Sequence, residues 1–105
     1  MVMAIEDRMR VKLKSGDTHI RILLAHPMNN GQGVDALGEP IPQEFIQDIR
    51  CWRNDDEVLA IKCGTATSTN PYFSFQLAGG EQGDKIAVRW VDNTGAKGEV
   101  EILVP

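Results

Sequence analysis

The 105-residue chain is poor in cysteine and histidine and has no long apolar run. Each shortage closes off a class of function. Two cysteines, Cys51 and Cys63, cannot build a four-thiolate zinc site. A mixed site would consume both of them and both histidines, His19 and His26, at spacings that no zinc module uses. The longest apolar run, Met1 to Ile5, falls far short of the roughly 20 residues that cross a bilayer. That stretch has no basic start, and Glu6 and Asp7 interrupt it, so no secretory signal and no membrane partner are expected. Cations are the minority, 11 Lys plus Arg against 15 Asp plus Glu, for a formal charge of -4. That balance argues against a nucleic-acid partner. Gly-x-Ser-x-Gly and Gly-x-x-x-x-Gly-Lys are missing, and Gly31 to Ala36 fits only the loose dinucleotide fingerprint, with no helical pattern behind it. Spacing alone pairs no nucleophile with a base and an orienting group. The expectation is a binding module without catalytic residues, metal or cofactor.

What the chain has is alternation. Arg8 to Lys14 sets Met9, Val11 and Leu13 on one face and cations on the other, the pattern of a half-buried strand. Thr18 to Ala25 sets Ile20, Ile22 and Leu24 against His19, Arg21 and Leu23, so part of that second face is expected to be covered. Gln43 to Arg53, Glu57 to Cys63, Pro71 to Ala78, Lys85 to Val91 and Lys97 to Val104 repeat the period of two. Ser15-Gly16-Asp17, Asn54-Asp55-Asp56, Gly79 to Asp84 and Asp92-Asn93-Thr94-Gly95 supply turns between them. Seven short strands without a helix predict an all-β, immunoglobulin-like antiparallel β-sandwich, one domain over 1–105. Between His26 and Pro42 no period survives, and an unstructured connection of that length in a compact domain is usually functional.

A hairpin turning at Asn54 to Asp56 sets Cys51 opposite Val58 or Leu59, with Cys63 four or five residues further on. At about 3.3 Å per residue that exceeds 10 Å, beyond the roughly 7 Å that a disulfide spans. No Cys51–Cys63 bridge is expected, and Cys63, at a strand end before Gly64, is the more exposed thiol. Phe73 and Phe75 alternate into the core, Tyr72 lies on the opposite face and suits an interface, and Trp52 and Trp90 are read as core. Asp55-Asp56-Glu57 is a solvated turn without the ligand spacing of a calcium site. His26-Pro27-Met28 opens the long loop. The same tripeptide occurs in superoxide reductase domains, but those iron sites need four histidines and a late cysteine, and this chain has two histidines and no Cys after Cys63.

Several patterns in order resemble the SoxZ family of the Sox thiosulfate-oxidising system. They are Arg8-Met9-Arg10-Val11-Lys12-Leu13, Ala25-His26-Pro27-Met28, Ile41-Pro42, Asn70-Pro71-Tyr72-Phe73-Ser74-Phe75, and Trp90-Val91-Asp92-Asn93-Thr94-Gly95. The resemblance implies an immunoglobulin-like, non-catalytic subunit that pairs with SoxY, whose arm cysteine carries sulfur intermediates between Sox enzymes. It also implies a periplasmic heterodimer in which this subunit is exported with its partner; without the resemblance a cytoplasmic chain is expected. Nothing here matches the glycine-rich cysteine arm of the carrier subunit. The partner interface is expected at His26, Pro27, Met28, Asn70, Tyr72 and Cys63, with other Sox enzymes as transient partners. The competing readings are a small metal-dependent redox protein of superoxide reductase-like fold and a structural β-sandwich interaction module.

Overall fold

The computed structural model describes residues 7–105. The apolar run Met1 to Ile5, and with it the reading of the first six residues as lacking a secretory signal, lies outside the described residues. Seven strands follow in order: β1 (Arg8–Lys14), β2 (Asp17–Leu23), β3 (Ile46–Arg53), β4 (Asp56–Lys62), β5 (Tyr72–Leu77), β6 (Lys85–Asp92) and β7 (Lys97–Leu103). All pairings are antiparallel. One sheet runs β1-β2-β5 and the other β4-β3-β6-β7. The chain changes sheet after β2, after β4 and after β5, as the immunoglobulin-like reading requires.

Two hairpins follow directly from their turn residues. Lys14 pairs with Asp17, leaving Ser15 and Gly16 as a two-residue loop with both φ values positive (54° and 84°). Arg53 pairs with Asp56 around Asn54 and Asp55 (51° and 73°). That geometry matches the right-handed twist of the flanking strands, and Gly, Asn and Asp tolerate it best. Asn54 also locks its hairpin to the start of β6. Its side-chain oxygen accepts from the Lys85 N–H (2.8 Å), and its amide donates to Asp84 (2.9 Å).

The core lies between the sheets. Ile20 and Ile22 of β2 meet Ile49 and Cys51 of β3 and Ile86 and Val88 of β6, all essentially inaccessible. Each such aliphatic side chain contributes on the order of 1.5–3 kcal/mol by leaving water. β1 packs beside β7 and closes one flank. On the other flank Phe73, Phe75 and Leu77 of β5, with Leu59 and Ile61 of β4, touch the core but stay half-exposed.

Cys51 pairs with Leu59, as the hairpin arithmetic places it, and both cysteines are free thiols, Cys51 buried and Cys63 half-buried. Trp52 departs from expectation. It faces away from the core, with the Arg89 guanidinium 4.8 Å above its ring. Alternation from the buried Ile49 and Cys51 turns Trp52 outside with Asp48 and Arg50, while a register irregularity between Ile46 and Asp48 shifts the phase of β3 and brings Ile46 into the buried set. Trp90 does pack against the core.

Candidate functional site

The residues singled out around His26 and Asn70 gather at one end of the sandwich, where β2 gives way to the long connection. The chain beyond β2 stays paired with the segment leading into β5. The Leu24 N–H donates to the Pro71 carbonyl (3.0 Å), and the Asn70 N–H donates to the His26 carbonyl (2.8 Å). The His26 N–H donates to the Asn70 side chain (3.0 Å), and the Thr69 hydroxyl donates to the Pro27 carbonyl (2.9 Å). Asp7 completes the brace: one carboxylate oxygen accepts from the Ala25 N–H (2.7 Å), the other from the Trp90 indole (2.9 Å).

His26 is 3% exposed and does not reach the surface. Its Nδ1 lies 3.0 Å from the Met28 N–H, which can only donate, so Nδ1 is the acceptor and the ring proton sits on Nε2. Nε2–H then donates to Asp92 Oδ2 at 3.0 Å. The other oxygen of Asp92 accepts from the Thr94 hydroxyl (2.7 Å), the Thr94 N–H (2.9 Å) and the Ala96 N–H (3.0 Å). Burial alone would push the Asp92 carboxyl up. The bonds from Thr94, His26 and Ala96 outweigh it and hold the group below the usual carboxylate value. The Trp90 ring meets the imidazole edge to face, at 5.3 Å and 85°. Met28, 6% exposed, turns inward, and the Ile46 N–H points at its sulfur (3.2 Å).

His26, Glu44 and Asp92 offer ligand atoms within 4.8 Å of one another, the one group of this kind among the described residues. The donor set does not fit one. Both imidazole nitrogens are engaged, and the Asp92 oxygens already accept four hydrogen bonds. A cation would have to break the brace between β2 and β6, and a doubly engaged imidazole is no free base either.

From this base residues 29–44 project as an arm. Asn29 bridges Glu44, and Val34 bridges Pro40. The Ile41 N–H donates to the Gly33 carbonyl (2.9 Å), and at the tip the Asp35 carboxylate accepts from the Leu37 and Glu39 N–H groups (2.9 and 3.0 Å). Gly38 takes the left-handed φ of 80° that the reversal needs. The arm carries the most exposed apolar side chains of the loop end, Leu37 at 87% and Val34 at 63%. The molecule is 52 Å along its longest axis, about twice the length of an eight-residue strand.

The expected interface residues therefore separate by depth. Pro27 and Tyr72 are exposed, Asn70 and Cys63 half-buried, and His26 and Met28 hold the loop from beneath. Cys63 starts the connection that crosses to β5, and burial, then Asp48, pushes its thiol up. Val34 and Leu37 escaped the sequence reading, although Asp35-Ala36-Leu37-Gly38, a turn with an apolar residue inside a polar loop, was a signal for them. Asp92 also escaped, read only as part of a turn.

The order of strands, the His26–Asp92 brace and the projecting arm together frame a comparison with known families. A search among curated proteins returned no match. Residues 7–102 match the sulphur oxidation protein SoxZ, a span that runs from the anchoring Asp7 through the arm and into β7. Fold and match agree over nearly the whole chain: it belongs to the SoxZ family and has a role in the Sox sulfur-oxidation system, in association with its proteins.

Proposed function

We propose that the chain is the non-catalytic subunit of a sulfur-carrier heterodimer, pairing with a SoxY-type subunit in the periplasm after export with it. The loop end grips the partner through Leu37 and Val34 on the arm and through Pro27, Asn70, Tyr72 and Cys63 beside its base. The observation that carries the reading is the arm itself: two apolar side chains held in water on a backbone-braced projection. Exposed apolar residues on an ordered scaffold are what a stable protein interface buries, about 1,600 Å² in a typical case. The subunit contributes to chemistry by proximity. It holds the partner's cysteine-bound sulfur where successive enzymes reach it, so that encounters become intramolecular. The saturated donor set at His26 speaks against the metal-redox alternative.

Co-expression with a SoxY-type subunit, followed by gel filtration, tests the reading. A 1:1 pair that Leu37→Asp dissociates supports it. A chain that elutes alone beside the carrier subunit defeats it, and leaves a structural module with some other partner.

A further inference from the structure

The two outer faces of the sandwich handle charge differently. On the four-stranded sheet four of the six cations are neutralised in place, Arg50 by Glu57, Lys62 by Asp48, Lys85 by Asp55 and Glu101, and Arg89 by Glu99, and only Arg53 and Lys97 lack an acidic partner among the described residues. On the three-stranded sheet alternation turns Arg8, Arg10, Lys12 and Lys14 of β1 and His19 and Arg21 of β2 outward. Five of the chain's eleven Lys and Arg residues therefore share one face, and none of the five has an ion-pair partner among the described residues. The strands of this face contribute a single acid, Asp17, whose oxygens accept from Gln76 (2.8 Å) and the Gly79 N–H (3.0 Å).

The register sharpens the point. Arg10 stands directly opposite Arg21, and Lys12 opposite His19. Like charges facing each other across an antiparallel pair are destabilising. An edge strand needs only a charge or two to resist aggregation, so this crowding is more than edge protection requires. A groove of about 440 Å³ opens among these side chains, from Ser74 of β5 across β1 to Ile102 of β7.

We infer that this face docks an acidic segment of a protein partner. The cation row on β1 spans about 20 Å, far longer than one inorganic anion. Arginine forks grip carboxylates in pairs. One end of the row carries Leu23 and Tyr72, paired to each other, which give the field an apolar, aromatic margin suited to a protein. A nucleic acid of any length would also meet the acidic remainder of a chain whose net charge is -4. The cations that carry the inference lie on the three-stranded sheet and not on the arm, and Tyr72 alone borders both this face and the proposed heterodimer surface.

The test uses the full chain and a fluorescein-labelled oligoglutamate of about ten residues, followed by anisotropy at low ionic strength, where a Debye length of roughly 20 Å lets the whole face act. Arg10→Gln with Arg21→Gln should weaken binding about tenfold, the worth of two short charge-assisted contacts. Arg50→Gln with Arg89→Gln, an equal change of net charge on the other face, should leave binding within roughly twofold. The face variant should melt no lower than the parent, because it loses a like-charge pair. Equal losses in both variants would reduce the effect to net charge and overturn the proposal. So would the absence of peptide binding, tighter binding of an oligothymidylate of equal length or of phosphatidylglycerol vesicles, or full displacement of the peptide by sulfate at equal charge concentration.

Discussion

Replacing Asp92 by Asn keeps the shape of the His26 brace and inverts one of its polarities. The amide oxygen can still accept from the Thr94 hydroxyl, the Thr94 N–H and the Ala96 N–H. The amide nitrogen then faces His26 Nε2 at 3.0 Å, donor against donor. The ring cannot escape by moving its proton to Nδ1, because the Met28 N–H, also 3.0 Å away, needs that lone pair. Turning the amide over sets its NH2 against the Thr94 and Ala96 donors. Every arrangement leaves a buried donor unsatisfied, at about 1–3 kcal/mol, and loses a charge-assisted bond, so the total cost is about 2–4 kcal/mol. In a domain of this size that is a fall of roughly 10–25 °C in Tm. Urea unfolding followed by tryptophan fluorescence measures it, with Asp84→Asn, a hydrogen-bonded carboxylate that is only half-buried, as the milder control. Because the folded Asp92 carboxyl is held below its unfolded value of about 3.9, its contribution is present above that pH and is lost as pH falls through the folded value. The parent should therefore lose more stability in acid than Asp92→Asn, whose remaining slope comes from carboxyls such as Asp17 and Asp84 that hydrogen bonds also hold down. Parent-like stability in Asp92→Asn, or imidazole ¹⁵N shifts placing the proton on Nδ1, would refute the assignment of donors and acceptors.

Gly98→Ala should cost about 1–3 kcal/mol and red-shift tryptophan emission, because the added Cβ lands inside contact distance of the Trp90 indole, itself tied to Asp7. Maleimide labelling at neutral pH should mark Cys63 slowly and Cys51 only on unfolding. Burial pushes the Cys51 thiol up to about 11, against a weaker opposing pull from Arg53. Its folded value exceeds the unfolded one, so its contribution to stability holds below about pH 9 and drains away as pH rises toward the folded value; a parent-like alkaline slope in Cys51→Ala would contradict this. Tyr72→Ala should weaken the heterodimer at little cost to the isolated fold. Phe75→Ala should cost about 2–3 kcal/mol in denaturant, short of the loss for a fully buried phenylalanine because its ring is half-exposed.

Strand positions were legible because a period of two is a local property. Each strand was placed within a residue or two except β3, whose reading began at Gln43 and which starts at Ile46. There Gln43 to Phe45 pair with the loop and the β6–β7 turn, and the irregularity after Ile46 breaks the phase that the alternation assumed. Trp52 is a different case: its size argues for the core, but its own alternation sets it outside with Arg50. The unbridged cysteines were correct because hairpin register is arithmetic. Burial of His26 was not legible, since its partner Asp92 lies 66 residues away and a single chain does not announce such pairs. The cationic side of β1 was visible at once, but its union with Arg21 and His19 into one unpaired field depended on register and on where the acids went.

Because main-chain bonds join the two legs of the arm below its tip, Asn29 to Glu44 and Gly33 to Ile41, the tip is a replaceable cartridge. Residues 34–40 can be exchanged wholesale, for another recognition peptide or a reporter epitope, with scarcely any effect on folding. Sequence divergence can then accumulate at seven positions while the two sheets behind them stay as they were.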